Sequence, residues 1–378
     1  MPSRCQAGAA PLFTVFTPTF NRADTLERLF RSLQRQHKKN FYWLIVDDGS
    51  TDGTRQLVET FKQVADFKIS YFWQKNQGKY VAINRGAELA ESLLIITIDS
   101  DDELLPEATE YFERGWHQMS DAEKEEFTGI TARSVNQNGE LVGEKQAAYT
   151  LDFDSATATF IADLRGERVG FHRVEVLRNH PFPEGLPTRF IPEGRVWLDI
   201  ARGYKTRFVE MPLRVFHDHG GPRLSGLDRY HRAWGDYEYN RFALMHYASW
   251  WRRAPRETLK LAIGLRRAEL HLDMTAQRDQ MPRSARVLLR LATPPAGFLF
   301  ASDLNNRLGR IGRAVAVSRL LFRWRGTPGI VHMVGSWARQ GEMPAEIKYY
   351  VAGQETEADP RDPSNDRKIF AAKRFPKG

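Results

Sequence analysis

From Leu12 to Ser134 the chain alternates short apolar runs with longer segments in which apolar residues recur every three or four positions. The short runs are rich in β-branched and aromatic residues, which indicates strands, and the longer segments have the period of amphipathic helices. This alternation predicts an α/β fold in which helices cover a mostly parallel sheet. The predicted strands are Leu12–Phe16, Phe41–Val46, Lys68–Trp73, Leu93–Ile98 and Thr128–Ser134.

The helical segments carry recognisable start signals. Asp24 and Glu27 have the spacing of a capping box at the start of the first helix, and Pro106 is suited to the first position of a later one. The buried faces are predicted to carry Leu26, Leu29, Phe30 and Leu33 in the first helix and Leu57, Val58, Phe61 and Val64 in the second. A helix beginning near Pro106 places the preceding acidic turn at the carboxyl end of the fourth strand.

The pattern changes twice further along the chain. Short apolar runs mixed with Pro and Gly continue to Val215, which predicts an α+β second half of the same domain. Arg-rich helical segments follow Gly220-Gly221-Pro222, and the sequence becomes polar from about Met343. We therefore expect a flexible N-terminus at 1–10, a catalytic domain at 11–221, a basic helical region at 222–342 and a flexible tail at 343–378.

Composition restricts the compartment. The one cysteine, Cys5, permits no intramolecular disulfide and no thiolate metal site, which fits a reducing environment. No apolar run reaches the roughly 18 residues that a membrane-spanning helix needs, and Met1–Ala10 lacks the apolar centre of a signal peptide. We expect a cytoplasmic protein. Of the net charge of +8, the excess lies between Arg223 and Arg339, where 21 Lys and Arg face 8 Asp and Glu.

Four acidic side chains, Asp99, Asp101, Asp102 and Glu103, directly follow the apolar run that ends at Ile98. Carboxylates this close raise one another's pKa unless a cation or amide donors stabilise the charged forms. Oxygen ligands favour Mg²⁺ or Mn²⁺, and Mg²⁺ usually keeps positions for substrate phosphates. Taken alone, the acids also fit a solvated helix N-terminus.

Polar groups follow the first two strands as well, in Thr17–Arg22 and Val46–Gly53. Parallel strands deliver such groups to one edge of the sheet, where ligands of open α/β sheets bind. Together with Gln77–Lys79, Asn84 and Asp99–Asp102, these segments resemble the signature of family 2 glycosyltransferases. The resemblance covers Pro11 to His219 and is weaker after Asn138. It implies a GT-A nucleotide-sugar-binding fold, a divalent metal and inversion at the anomeric carbon.

The resemblance also implies roles for individual residues. Thr19, Asp48 and Lys79 correspond to the nucleoside pocket, with Asp48 accepting a hydrogen bond from the base. Asp99 corresponds to the residue that faces the ribose or the donor sugar, Asp101 to the metal ligand, and Asp102 to either. The remaining predicted nucleotide-sugar-binding residues are Asn21, Arg22 and Ser100.

An inverting transfer needs a carboxylate that removes the acceptor proton. Glu193 is the predicted base, although Gly194 follows it where the commoner family pattern has a second acid. Asp199, six residues further on, is interpreted as a solvated or Arg-paired acid. His217 is the predicted additional metal ligand, with a structural role as the alternative.

The basic helices allow two interpretations. They either lie on the anionic cytoplasmic leaflet, where a lipid-linked acceptor is presented, or pack on the catalytic domain with a solvated Arg face. Nucleic acid is not an expected partner, since no nucleic-acid-binding signature accompanies the charge. The expected partners are a nucleotide-sugar donor, with a UDP-sugar as first choice, and a glycan or lipid-linked acceptor.

Two other functions were weighed. A sugar-phosphate nucleotidyltransferase needs a Gly-rich phosphate loop after the first strand, and Thr17–Arg22 contains no glycine. A non-catalytic sugar-binding protein would have little use for four clustered acids and Glu193. The sequence therefore favours a metal-dependent inverting glycosyltransferase of bacterial polysaccharide or glycoconjugate synthesis.

Overall fold

The computed structural model describes residues 11–144, 149–164, 166–218, 231–274 and 278–308. Several predicted features lie outside these residues: the N-terminus at 1–10, His219, the boundary at residue 221, the Arg-rich stretch at 310–325 and the tail at 343–378.

Strands and helices alternate from residue 13 to residue 97 as the hydrophobic pattern predicts. The elements are β1 (Phe13–Thr19), α1 (Ala23–Gln34), β2 (Phe41–Asp47), α2 (Thr54–Val64), β3 (Ile69–Trp73), α3 (Lys79–Leu89) and β4 (Leu94–Thr97). Their strands pair in parallel in the order β3-β2-β1-β4. Each connecting helix returns the chain to the edge where the strands begin, so the loops that follow these strands meet at the opposite, carboxyl edge.

The same sheet continues through the second half of the α/β region. Its elements are β5 (Glu103–Leu104), α4 (Ala108–Gln118), α5 (Asp121–Glu126), β6 (Phe127–Asn136), β7 (Thr150–Phe153), α6 (Ser155–Phe160), β8 (Arg168–Arg173), α7 (Val174–Asn179), α8 (Gly194–Ile200) and β9 (Lys205–Phe216). The helix predicted from Pro106 begins two residues later, at Ala108, and β5 precedes it. The full order is β3-β2-β1-β4-β8-β6-β9-β5, with β7 paired to β9.

The predicted mostly parallel sheet is confirmed. Pairing along the sheet shows that β1, β2, β3, β4, β6 and β9 run in one direction, whereas β5, β7 and β8 run in the other. Helices α1, α2 and α4 pack on one face around Trp43, and α3, α7 and α8 pack on the other around Phe16. Because β1 and β2 are buried on both faces, their ends are held firmly for the loops that follow.

The capping box predicted for α1 is wrong. Arg22 occupies the N-cap position without a side-chain bond, and Asp24 already lies inside the first turn. Asp52 from the loop after β2 acts instead: its Oδ2 accepts from the N–H of Ala23 at 3.1 Å. The α1 start is therefore fixed by a neighbouring loop and not by its own sequence.

Three long helices follow the sheet: α9 (Ala233–Tyr247), α10 (Pro255–Leu272) and α11 (Arg283–Leu308), with a short 3₁₀ helix at Ala248–Arg252. They form their own apolar core around Leu261, Leu265 and Leu289, which also includes Leu198 of α8. The helical character predicted after residue 222 is thus found in the described part of this region. Among the described helices, none combines the length and the apolar character needed to cross a bilayer.

Replacing the external cap tests this arrangement. Asp52→Ala is expected to lower the free energy of unfolding by about 1 kcal/mol, because the N–H groups of Ala23 and Thr54 lose their acceptor. Asp24→Ala, the matched control, should cost only about 0.3 kcal/mol, the interaction of an exposed acid with the helix dipole. Urea unfolding of both variants at pH 7 makes the comparison, and equal losses would contradict the external cap.

The stability difference between wild type and Asp52→Ala should also depend on pH. Burial alone would raise the pKa of Asp52, but bonds from Thr54 and Ala23 lower it below its ordinary value. The stabilisation by Asp52 is therefore present above that ordinary pKa and is lost as the pH falls through the folded value. The difference between wild type and Asp52→Ala should shrink in acid.

Candidate active site

The turn after β4 brings three carboxylates together. Oxygen atoms of Asp99, Asp101 and Asp102 all lie within 4.8 Å of one another. The N–H of Asp102 donates to the Asp99 carbonyl at 3.2 Å, which closes the turn. Since β4 lies between β1 and β8, the turn is anchored inside the sheet. The repulsion within this group has to be offset by positive charge from other elements.

Two basic side chains supply that charge. Lys79, the first residue of α3, places Nζ 2.6 Å from Asp99 Oδ1. Arg214 of β9 is buried, forms an ion pair with Asp102, and has Nη2 3.9 Å from Asp99 Oδ2. Because α3 belongs to the first half of the sheet region and β9 to the second, the acidic turn ties the two halves together.

Asp102, which is buried, and Asp99, which is partly exposed, respond in opposite ways. Burial raises the pKa of Asp102 to about 7, with Asp99 and Asp101 acting in the same direction against Arg214 and the His217 N–H. Burial alone would also raise the pKa of Asp99, but Lys79, Arg214 and Arg22 lower it below its ordinary value. The charged form is therefore favoured for Asp99, and the protonated form is favoured for Asp102 relative to an exposed aspartate.

Asn21 connects the loops that follow β1 and β2. Its backbone is in the left-handed region, with φ of 50°, a conformation that Asn tolerates better than most residues. Its N–H donates to Ser50 Oγ at 2.8 Å, and its Oδ1 accepts from the Thr51 N–H at 2.8 Å. Thr19 is buried at the end of β1, and Arg22 follows at the start of α1. The observed role of Asn21 is to fix these neighbours.

Asp48 anchors the loop that carries Lys79. Its carboxylate is 3% exposed and accepts from Gln74 Nε2 at 2.9 Å and from the N–H groups of Gln77 and Gly78 at 2.9 and 2.7 Å. Burial raises its pKa although these three bonds oppose the change. Gly78 has φ of 106°, and a Cβ there would lie 2.4 Å from the Arg189 carbonyl oxygen, so the loop requires glycine. A hydrogen bond that Asp48 accepted from a nucleotide base would come in addition to these three internal bonds.

Glu193, the predicted base, lies beside the acidic turn. It is the residue immediately before α8, and its Oε1 is 2.8 Å from Lys79 Nζ, so one ammonium group bridges Asp99 and Glu193. Burial alone would lower the pKa of Lys79, but the two carboxylates raise it above its ordinary value. At Gly194, where the family pattern has an acid, a Cβ would lie 3.0 Å from Tyr239 Cε2, so a side chain there would press on the Tyr239 ring.

Asp199 and His217 have protein partners. Asp199 pairs with Arg202 at 3.0 Å and lies 3.5 Å from His180 Nδ1, which matches its interpretation as a paired acid. The His217 ring lies 2.9 Å from Glu103 through Nε2 and 3.3 Å from Arg28 through Nδ1.

The backbone N–H of His217 reaches the turn, at 2.9 Å from Asp102 Oδ1. Its imidazole lies against Glu103, because β5 pairs with β9 and brings the two side chains together. The metal-ligand role of His217 stays a prediction, and its contacts with Glu103 and Arg28 are what this arrangement shows.

Arg214 is a residue of the candidate site that the sequence analysis does not predict. The pairing of β9 with β5 and β6 puts this arginine next to the acidic turn, where it pairs with Asp102. The available signal is an arginine within the apolar run Met211–Phe216, close before His217. Ser100 and Asp102 are buried within the turn, whereas Asp99 and Asp101 are partly exposed.

Residues 14–123 match the family model described as Glycosyl transferase family 2. This segment is therefore similar to family 2 glycosyltransferases, in agreement with the resemblance that the motifs indicate.

Individual proteins also resemble the chain. A Campylobacter jejuni protein named GalNAc(5)-diNAcBac-PP-undecaprenol beta-1,3-glucosyltransferase is 37% identical over 211 residues, which are 54% of this chain and 64% of the relative. The putative teichuronic acid biosynthesis glycosyltransferase TuaG of Bacillus subtilis is 34% identical over 92 residues, 24% of this chain and 36% of the relative. The chain therefore spans less than two thirds of the length of either relative.

Among solved structures, that of S. aureus TarS 1-349 in complex with UDP-GlcNAc superposes with a TM-score of 0.48 and 17% identity. The superposition covers 87% of this chain and 92% of the TarS chain.

The opposite pKa shifts of Asp102 and Asp99 predict opposite behaviour in unfolding experiments on the chain in EDTA. The folded pKa of Asp102, about 7, is above its unfolded value, so its contribution to stability is full in acid and is lost as the pH rises through 7. The stability difference between wild type and Asp102→Asn should therefore fall between pH 5 and pH 8.

Asp99→Asn is the matched control. Because the folded pKa of Asp99 is lowered, its own contribution is present throughout pH 5 to 8. Loss of the Asp99 charge also lowers the pKa of Asp102, so the difference should vary with pH, but less than it does for Asp102→Asn. Urea unfolding curves provide both differences. A constant difference for Asp102→Asn would contradict the proposed protonation of Asp102.

Proposed function

We propose that this chain is an inverting glycosyltransferase that moves a sugar from a nucleotide-sugar donor to an acceptor hydroxyl in bacterial polysaccharide or glycoconjugate synthesis. One observation carries the proposal: three carboxylates within 4.8 Å lie at the carboxyl edge of the sheet, one lysine away from Glu193. Ligands of such sheets bind at this edge. The family match of residues 14–123 agrees with the proposal.

The carboxylate group fits a hard divalent cation. Mg²⁺ and Mn²⁺ take oxygen ligands, and Asp101, which the family resemblance places at the metal, is the proposed direct ligand with Asp99 and Asp102 beside it. The pKa of Asp102 near 7 also fits, because a cation would draw this carboxyl into its charged form. When bound, the cation would neutralise negative charge on the departing diphosphate.

The loops around the carboxylates suit the rest of the donor. Thr19, Arg22 and Ser100 are proposed to line the nucleoside and diphosphate positions, with Asp48 accepting from the base and Asp99 facing the ribose or sugar. Asn21 contributes by holding the first two loops together. Lys79 and Arg214 add positive charge where a diphosphate would lie, which stabilises the leaving group further.

Glu193 is the proposed general base. It lies on the second half of the domain while the donor loops come from the first, so an acceptor entering between them meets the donor sugar on one side and this carboxylate on the other. The acceptor hydroxyl would give its proton to Glu193 as its oxygen attacks the anomeric carbon, and the bond to the diphosphate breaks. A single displacement of this kind inverts the anomeric configuration.

The helical region is proposed to dock the enzyme on the inner face of the plasma membrane. Trp251, Leu259, Val287 and Leu291 are exposed apolar side chains, and Arg252, Arg253 and Arg256 are exposed beside the first two in the sequence. Apolar and basic side chains together suit an anionic lipid surface. The name of the C. jejuni relative specifies an undecaprenol-linked acceptor, which makes a lipid-linked acceptor a reasonable choice here.

Donor chemistry is tested by a screen of UDP-, GDP- and dTDP-sugars with Mn²⁺ or Mg²⁺, in which release of nucleoside diphosphate is measured. A UDP-sugar is expected to be turned over in the presence of the metal and not in EDTA. Asp101→Ala should lower the rate by about 100-fold or more, whereas Asp121→Ala, an exposed acid on α5, should leave it unchanged. Turnover that EDTA and Asp101→Ala leave intact would contradict the metal site.

The role of Glu193 has a separate test. Glu193→Gln keeps the size of the side chain but cannot take a proton, so kcat should fall by about 100-fold or more while the donor KM changes little. The measurement is the same diphosphate release, with water as the acceptor in the absence of a known one. Unchanged kcat would remove Glu193 from the mechanism without affecting the metal assignment.

Membrane docking predicts salt-sensitive flotation of the chain with phosphatidylglycerol vesicles. Leu291→Glu should weaken flotation, because it places a charge in the exposed apolar set. Val64→Glu is the matched control, since Val64 is equally exposed but lies on α2. If the wild-type chain does not float, the helices only pack on the catalytic domain.

A further inference from the structure

Helix α8 connects Glu193 to the helical region. The helix has seven residues, begins directly after Glu193, and packs between the sheet and α9. A helix this short has little stability of its own, so its position depends on what it packs against. We propose that α9 sets the position of the Glu193 carboxylate through Arg195, which acts as a positioning residue. The proposal rests on the function of Glu193 as base and adds a role for the helical region.

Arg195 is held by two side chains of α9. Its Nε donates to Glu238 Oε1 at 3.1 Å, and its guanidinium carbon lies 3.5 Å from the centre of the Phe242 ring. The Arg195 and Glu238 side chains are 11% and 13% exposed. A largely desolvated, charge-assisted bond combined with a cation–π contact restrains the guanidinium strongly. Arg195 is two residues from Glu193, so this restraint acts at the first turn of α8.

Backbone contacts hold the same segment from both sides. At Gly235 of α9 a Cβ would lie 2.3 Å from the Phe190 carbonyl oxygen, three residues before Glu193. Tyr239 packs against Gly194, one residue after it. At the far end of α8, Tyr247 donates its hydroxyl to the Leu198 carbonyl at 2.6 Å. Helix α9 therefore contacts the segment before Glu193, directly after it and at the end of α8.

These contacts fix the backbone from which the Glu193 side chain extends, while Lys79 holds its carboxylate at the other end. A displacement of about 1 Å in a catalytic group can lower a rate by as much as 100-fold. Loss of the Arg195 restraint should therefore reduce the chemical step and leave donor binding alone, since the donor loops come from β1, β2, β3 and β4.

The test compares Arg195→Met and Glu238→Gln with Arg202→Met in the full chain. Arg202 pairs with Asp199 near the far end of α8 and is half-exposed, which makes it the matched control. The readouts are kcat and KM for release of UDP from the UDP-sugar that the wild type turns over fastest, with water as acceptor, and the affinity for UDP with Mn²⁺ by calorimetry. Thermal unfolding identifies any variant that fails to fold. If Arg195→Met does not fold, Glu238→Gln still tests the proposal, because it removes the charge that pairs with Arg195 and keeps the size of the side chain.

We expect Arg195→Met and Glu238→Gln to lower kcat by about tenfold or more with little change in KM or UDP affinity. Arg195→Lys should recover part of the loss, because an ammonium can still pair with Glu238. Arg202→Met should behave as wild type. Folded Arg195→Met and Glu238→Gln variants with unchanged kcat, or with kcat and UDP affinity reduced together, would overturn the positioning role.

Failure of the proposed function gives a different result. If Glu193→Gln retains full kcat, the base assignment is wrong and the positioning role falls with it, whatever the Arg195 variants do. If Glu193→Gln loses activity and the Arg195 and Glu238 variants do not, only the positioning role is wrong. Absence of wild-type turnover with every donor would contradict both.

Discussion

The balance of charge around the turn after β4 is the constraint on which the rest of this site depends. Three carboxylates at the end of a buried strand repel one another, and each would be costly to bury without a partner. Lys79 and Arg214 provide the partners, and they come from opposite halves of the sheet region. The charges that form the candidate site therefore also link the two halves of the domain.

Lys79 and Arg214 pair with Asp99, Asp102 and Glu193, and burial together with the neighbouring acids still raises the pKa of Asp102. We propose a divalent cation as a further partner of these carboxylates. Binding the cation would complete the charge balance and expel a proton from Asp102 in the same step, so the pH should influence affinity as well as stability.

Features set by local sequence could be predicted, and features set by long-range pairing could not. The hydrophobic alternation located β1 to β4, and the acids after Ile98 located the turn, because both signals lie within a few residues. Arg214 was missed, since its place beneath the turn depends on the pairing of β9 with β5, strands more than a hundred residues apart. The same pairing turns the His217 ring toward Glu103, and the α1 cap comes from Asp52 in another loop.

Gly194 shows how the two kinds of information combine. From the sequence it was a departure from the family pattern beside Glu193, with no physical cause. The close approach of Tyr239 leaves little room for a side chain at this position, and α9 occupies the space beside the candidate base. The helical region is thus part of the candidate site's support, whether or not it also contacts a membrane.

Calorimetric titration of the chain with UDP, in the presence and absence of Mn²⁺, tests the central claim most directly. If the carboxylates hold a cation against the donor diphosphate, UDP should bind with Mn²⁺ and only weakly in EDTA, and Asp101→Ala should bind weakly under both conditions. Equal affinity with and without the metal in the wild-type chain would contradict the account.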